Sequence, residues 1–192
     1  MLDLSMLSNN GITLEQLMPS HGADLAKACQ DGKLWETATT SVPMPDKMLD
    51  YINKAAAMGD RQAFAVIDEA SGKAIGSTSY YNILPLAKRL EIGYTWYAKS
   101  YWRSHVNTAC KLLLLANAFE VLAYRTVGWR TDIENYQSQQ AIERLGATKD
   151  GVIRGDRVRK SGIITDSVVY SMQASEWAQA KENLEAKLAS YT

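Results

Sequence analysis

Apolar and polar residues alternate over 11–18 (GITLEQLM), which predicts a strand. Over 22–34 the spacing changes to three and four, placing Leu25, Ala28 and Cys29 on one helical face. Ser41 to Pro45 is a Pro-punctuated loop. A helix follows from Asp46 to Met58, with Met48, Tyr51, Ile52 and Ala55 on its stripe and Gly59 stopping it. Gln62–Asp68 and Ala74–Ile83 read as strands joined by a Ser-Gly hairpin, and Arg89–Tyr97 extends the same antiparallel meander. Leu112, Leu113, Leu115, Ala116 and Phe119 give a wide apolar face to a central helix over 108–122. Arg125–Thr131 is a strand, and Asn135–Leu145 is a helix closed by Gly146. Residues 147–158 and 163–172 are strands about a Lys-Ser-Gly turn, and Glu176–Leu188 is a last helix capped by Ser175. The fold class that follows is α/β (α+β): a mixed, mostly antiparallel sheet of about seven strands flanked by helices, with one parallel pair made through the central helix.

The densest information lies in Glu91–Leu115, EIGYTWYAKSYWRSHVNTACKLLLL. A strand with Ile92, Tyr94 and Trp96 ends in a short polar turn that opens directly into the apolar helix. The first turn of a helix aims unpaired backbone N–H groups at one point, which suits a phosphate. A second segment, DIENYQSQQAIERLGA from Asp132 to Ala147, reads as strand end, cap, helix and glycine stop. Together the two segments suggest a chain that holds a phosphate-bearing molecule and works beside it.

At 192 residues the chain is expected to form a single domain spanning 1–192. Its 21 basic and 21 acidic residues balance, which argues against a nucleic-acid partner. No apolar run reaches the roughly 20 residues of a membrane span. The opening MLDLSMLSNN lacks the basic and apolar regions of a secretory leader. Cys29 and Cys110 both fall on apolar helical stretches and read as buried thiols. With only His21 and His105, no cluster has metal-ligand spacing. These features point to a cytoplasmic protein without membrane or metal partners.

The order of elements, with DGKLW (Asp31–Trp35), GST (Gly76–Thr78), EIGYTW (Glu91–Trp96), YWRSHVNT (Tyr101–Thr108), NYQSQQAIERLGA (Asn135–Ala147) and TDSVVYSM (Thr165–Met172), resembles the GNAT superfamily of N-acetyltransferases. The likeness is to the branch of ribosomal-protein N-terminal acetyltransferases. It implies acetyl-CoA as cosubstrate, bound where the fourth and fifth predicted strands splay apart, and a primary amine as acceptor. The pyrophosphate turn of the family (Gln or Arg, two residues, Gly, one residue, Gly or Ala) aligns with Tyr101–Val106 and is broken at its first position and at both small positions. Arg103, Ser104, His105, Val106, Asn107 and Thr108 would then bind the cofactor, with Ser104 donating through its hydroxyl and Asn107 capping the helix. Asn135 would touch the CoA arm besides being a good N-cap.

Further roles follow from the resemblance. The backbone around Trp96, Tyr97 and Ala98 would supply hydrogen bonds to the thioester oxygen. The Tyr that many members place late in the helix after the fifth strand aligns with Ile142, which cannot serve. The ribosomal-protein branch uses a Ser one turn into that helix, which maps to Ser138, a donor toward the leaving sulfur. The attacking amine must be neutral. An α-amine is neutral about a tenth of the time at pH 7 and a lysine-type amine only about once in a few thousand, so an N-terminus asks less of a base.

Glu91 is the candidate base, direct or through water; its other reading is a surface carboxylate paired with Arg89 or Lys88. Trp35, Tyr80, Asp166 and Tyr170 are the candidate acceptor contacts; Tyr81 and Trp96 could line the same pocket, and the four aromatics Trp35, Tyr80, Tyr81 and Trp96 read otherwise as core. Arg154, Arg157, Arg159 and Lys160 form a basic hairpin, solvated or drawing an acidic acceptor. No Ser-His-Asp arrangement is present, because His105 belongs to the turn and His21 to a loop. Two functions stand at this point: acetyl transfer to a protein N-terminus or small amine, and a non-catalytic CoA- or ligand-binding module on the same scaffold. A homodimer through the last helix or a strand edge is compatible with either.

Overall fold

The computed structural model describes residues 7–37, 39 and 41–191. Residues 1–6, part of the stretch read for a leader, lie outside them. An eight-stranded sheet runs through the molecule in the order β1-β2-β3-β4-β5-β6-β8-β7. Its strands are β1 (Leu7–Asn9), β2 (Ile12–Gln16), β3 (Gln62–Asp68), β4 (Lys73–Leu84), β5 (Arg89–Tyr97), β6 (Thr126–Asp132), β7 (Thr148–Val158) and β8 (Ile164–Gln173). The eighth strand beyond the expected seven is β1. It folds back on β2 through Asn10 and Gly11, both at positive φ (54° and 72°), a tight turn that favours these residue types. All neighbours are antiparallel except β5 and β6, as the helical crossover between them requires.

Strand alternation sends side chains to two separate cores. On β3, Phe64 and Val66 join one core with α3 (Val106–Ala116), α4 (Tyr136–Glu143) and α5 (Trp177–Ala189). Ala63 and Ala65 join the other with α1 (Gly22–Gln30) and α2 (Met48–Ala57), where Leu25, Cys29, Met48 and Ile52 are buried. The first helix ends earlier than its periodicity suggests, because Gly32 takes φ 86° and Asp31 turns to accept the backbone N–H of Ser100 at 2.8 Å. The DGKLW motif thereby fastens α1 to the end of β5. Ser175 does not cap α5: a short turn precedes that helix, and the Glu176 carboxylate accepts the Gln173 N–H.

The central helix starts two residues before the predicted boundary and changes to a π turn over Asn117–Val121, where the Leu122 N–H reaches the Asn117 carbonyl. The Tyr80 hydroxyl donates to the Leu114 carbonyl, and the Asn117 side chain donates to Tyr80. A buried polar triad at this point gives the widened turn a local cause.

Two irregularities position the functional region. β5 carries a bulge: Ser77 pairs with Trp96 but Ser79 with Gly93, and Tyr94 sits at φ 52°. β5 and β6 pair only over Arg89–Glu91 with Thr126–Gly128 and then diverge. The bulge and the divergence fall at the same height in the sheet, so the strands open into a V facing the N-terminus of α3.

Candidate active site

The V is the floor of a cleft of about 850 Å³. One wall is the turn Tyr101–Ser104 with Asn107, Thr108 and Lys111 of α3. The other is Asn135, Ser138, Ala141 and Ile142 around α4. Beyond the gap, Tyr81, Tyr94, Arg130 and Asp156 line its continuation on the far face of the sheet. The cleft therefore has a helix-N-terminal end, a narrow middle between two strands, and a polar chamber.

At the first end the Val106 N–H donates to Ser104 Oγ at 3.3 Å, while Ser104 Oγ donates to the Tyr101 carbonyl at 2.6 Å. The next two N–H groups, of Asn107 and Thr108, have no acceptor among the described residues. They and the positive end of α3 make a site for an anion. The expectation about the broken glycine pattern needs correcting in register. Neither Ser104 nor Val106 occupies the left-handed region; Arg103 does, at φ 60°. Glycine freedom is therefore needed one residue earlier, and Arg103, exposed on the rim, accepts the strain. Asn107 is not the cap but accepts a hydrogen bond from the Tyr97 hydroxyl at 3.3 Å. Ser104 takes the capping role, and its hydroxyl proton is already committed within the turn.

Trp96, Tyr97, Arg103, Ser104, Asn107, Thr108 and Asn135 line the cleft; Ala98, His105 and Val106 do not. Val106 is buried in the core and the His105 ring faces Tyr191. The Ala98 N–H is bound to the Ile75 carbonyl at 2.8 Å, so it is not free for a ligand. Because N–H groups alternate along a strand, that of Tyr97 is the one directed to the opened side. The Trp96 indole N–H is buried and has no partner among the described residues. An unpartnered donor on the cleft wall, free helical N–H groups and a long groove between them fit an extended, phosphate-bearing molecule.

Asn135 caps α4, its side chain accepting the Ser138 N–H at 3.1 Å. Ser138 is half-buried on the cleft wall, and its hydroxyl has no partner among the described residues.

Glu91 is no surface carboxylate. It is 4% exposed, stands on the far face of the sheet with its stem over Gly128, and contacts Arg130 at 3.5 Å, its second oxygen making no hydrogen bond among the described residues. It does not line the cleft; it sits behind Arg130, which also pairs with Asp156 at 3.1 Å. Of the two carboxylates flanking Arg130, Asp156 is therefore the one on the wall.

Three proposed acceptor contacts fall elsewhere. Tyr80 is fully buried on the α3 face, and its chain neighbour Tyr81, pointing the opposite way, is the tyrosine of the chamber. Tyr170 is likewise buried and donates to Glu143 at 2.9 Å; desolvation pushes its hydroxyl up to about 12. Asp166 accepts the Gly155 N–H at 2.9 Å and serves the β7–β8 hairpin. Trp35 is half-buried beside the cleft residues Leu34 and Thr37, without lining it.

Two of the four cations of the basic hairpin are engaged, while Arg154 is exposed. Arg159 is held by Asp132 and Glu134 at 2.6 and 2.7 Å, and Lys160 donates to the carbonyls of Trp35 and Val42 at 3.1 and 2.8 Å. These bonds bring the hairpin across the chamber onto the 35–42 loop.

Residues that sequence reasoning passed over include Arg130, Asp156 and Lys111. Nothing in their local pattern distinguishes them, and only the sheet brings them together. Lys111 is 6% exposed, and burial pulls its amine down to about 8.

Sequence comparison gives the family directly. The acetyltransferase (GNAT) domain family model matches residues 12–148, and the chain belongs to that family. It is similar to a GCN5-related N-acetyltransferase from Brucella melitensis, with 30% identity over 96% of this chain and 85% of the other and a TM-score of 0.88. It shares the fold of the ribosomal-protein-S5 alanine acetyltransferase from Vibrio fischeri (14% identity, 90% of this chain, 98% of that one, TM-score 0.73). It also shares that of RimL, a ribosomal-protein α-N acetyltransferase solved with coenzyme A (15% identity, 88% and 98% covered, TM-score 0.75). No curated protein matches the chain. Among the described residues no helix is long and apolar enough to cross a membrane.

Proposed function

We propose that the chain, acting as one unit, transfers acetyl from acetyl-CoA to a primary amine in a ternary complex, with a protein or peptide N-terminus as the favoured acceptor and a small amine or amino acid next. The carrying observation is the continuity of the cleft from the free N–H groups of α3, through the parted strands, into a chamber on the opposite face. Two substrates entering from opposite ends would meet at the bulge.

The chain's own parts have separable tasks. The N–H groups of Asn107 and Thr108, with Arg103, would hold the phosphates, and Asn135 would touch the arm. The Tyr97 N–H would polarise the thioester oxygen. Ser138 would donate to the departing sulfur. Asp156 would draw an ammonium into the chamber, where the faces of Tyr81 and Tyr94 suit a cation. Glu91, set behind Arg130 and off the cleft wall, would reach the amine proton only through an intervening water. The resemblance to ribosomal-protein enzymes supports a peptide acceptor, as does the lower proton-removal cost of an α-amine.

The test is product mass after incubation with acetyl-CoA and three acceptor sets: peptides with free N-termini, the same peptides blocked at the N-terminus but carrying lysine, and small amines. Acetylation confined to free N-termini is expected. Acetylation of lysine peptides alone would overturn the acceptor assignment. Binding of CoA with no product across the sets would favour the binding-module alternative.

A further inference from the structure

Lys111 has no part in the proposed reaction, yet it is a cation buried in the α3 wall of the cleft. Its ammonium donates to Thr95 Oγ1 at 3.0 Å, and Thr95 in turn bonds Thr78 Oγ1 at 2.8 Å. An ammonium has three N–H donors. Beyond the Thr95 bond, Lys111 has no other acceptor and no carboxylate within ion-pair distance among the described residues. A desolvated charge without a counter-ion is costly, and the usual remedies are a partner or loss of the proton. Burial lowers the amine to about 8, which leaves it on the charged side of neutral pH. The site is thus built for an anion that the protein does not itself supply.

Its position says which part of a ligand that anion belongs to. Lys111 lies five residues beyond Val106, about 7.5 Å along the helix from the phosphate turn at 1.5 Å per residue. Its contact, Thr95, is next to the bulge residue Tyr94, where β5 has left β6. The bulge is where the proposed reaction brings the acyl end of a CoA arm anchored at the turn, and the Thr95 contact sets the Lys111 ammonium beside it. A plain acetyl group offers no negative charge there. A short acyl chain ending in a carboxylate offers the charge and two oxygens for the two remaining donors.

Resting on the proposed CoA site, we infer that Lys111 selects the acyl donor and that the cleft accepts CoA thioesters whose acyl chain ends in a carboxylate, of the succinyl or malonyl class, in preference to uncharged chains of the same length. The transfer is otherwise unchanged: the amine nitrogen bonds to the thioester carbon, the carbon–sulfur bond breaks, the amine proton leaves to the sulfur or solvent, and the carboxylate remains on the product.

The test is calorimetric titration with CoA and two unreactive CoA thioethers, one with a carboxyalkyl chain and one with an alkyl chain of equal length, backed by thiol release from succinyl-CoA and butyryl-CoA. Charged hydrogen bonds of this kind give about tenfold or more in affinity. The wild type should therefore bind the carboxyalkyl thioether about tenfold more tightly than the alkyl one. Lys111→Met should abolish that ratio while binding the alkyl thioether normally, and Lys111→Gln provides a polar variant should the first fail to fold. Equal or reversed preference in the wild type overturns the assignment without any variant, as does a preference that survives both substitutions. Failure to bind CoA itself would instead remove the underlying reading of the cleft.

Discussion

Ser138 and Arg103 illustrate how single positions divide between chemistry and architecture. The Ser138 backbone is held by the Asn135 cap, while its hydroxyl, on the cleft wall, has no partner among the described residues, so removing the hydroxyl leaves the helix intact. Ser138→Ala should lower kcat about tenfold to hundredfold with acetyl-CoA affinity changed less than about twofold, read by thiol release and calorimetry. Arg103 pays a left-handed backbone penalty of about 1 kcal/mol that glycine avoids, partly offset by the greater freedom of glycine in the unfolded chain. Arg103→Gly should raise the thermal midpoint slightly; a fall would mean that its exposed side chain matters more to the turn than its φ. Both residues lie in local patterns visible in the sequence, a cap followed by a helix and a turn opening one, although the left-handed position of the turn falls one residue earlier than the pattern placed it. Lys111, Asp156 and Arg130 were not legible there, since each is ordinary on its own element and becomes notable only through what the sheet sets beside it. Tyr80 and Tyr81 show the same limit, because adjacent residues on a strand face opposite ways and the sequence does not say which side is the chamber.

At the scale of elements, the cleft depends on how β4 grips β5 below the opening. A Cβ on Gly76 would collide with the Trp96 carbonyl and crowd the Tyr97 backbone at 2.9 Å, neither of which can move without breaking the pairing. Gly76→Ala should destabilise the fold by about 1–3 kcal/mol and weaken acetyl-CoA binding in the fraction that folds, measured by denaturant unfolding and calorimetry. The β7–β8 hairpin is fixed by charge instead. Hydrogen bonds from Arg159, and then the Glu134 N–H, hold the Asp132 carboxyl below the usual carboxylate range. Its contribution to stability is therefore present above the ordinary carboxylate pKa near 4 and is lost as pH falls through the lower folded-state value. Acid unfolding should begin at higher pH in Asp132→Asn than in the wild type, and identical acid midpoints would contradict this role. Helix and strand positions followed the hydrophobic periodicity closely. What it missed were the bulge at Tyr94, the π turn after Ala116 and the β1 hairpin, all set by pairing or by buried polar contacts rather than by a repeat.

For the whole molecule, the order of elements carried the family, because one helical crossover in an otherwise antiparallel meander leaves few arrangements. The site was less legible. Its phosphate end and α4 wall are continuous segments, whereas its chamber is assembled from β4, β6 and β7, far apart in sequence. The divergence of β5 and β6 joins these two halves, and the account rests on that opening holding the acetyl donor. The most direct measurement is calorimetric titration of the wild-type protein with acetyl-CoA, followed in the same sample by thiol release on adding an amine. One binding site per chain with thiol release only after the amine is the predicted result; no binding at any attainable concentration would contradict it.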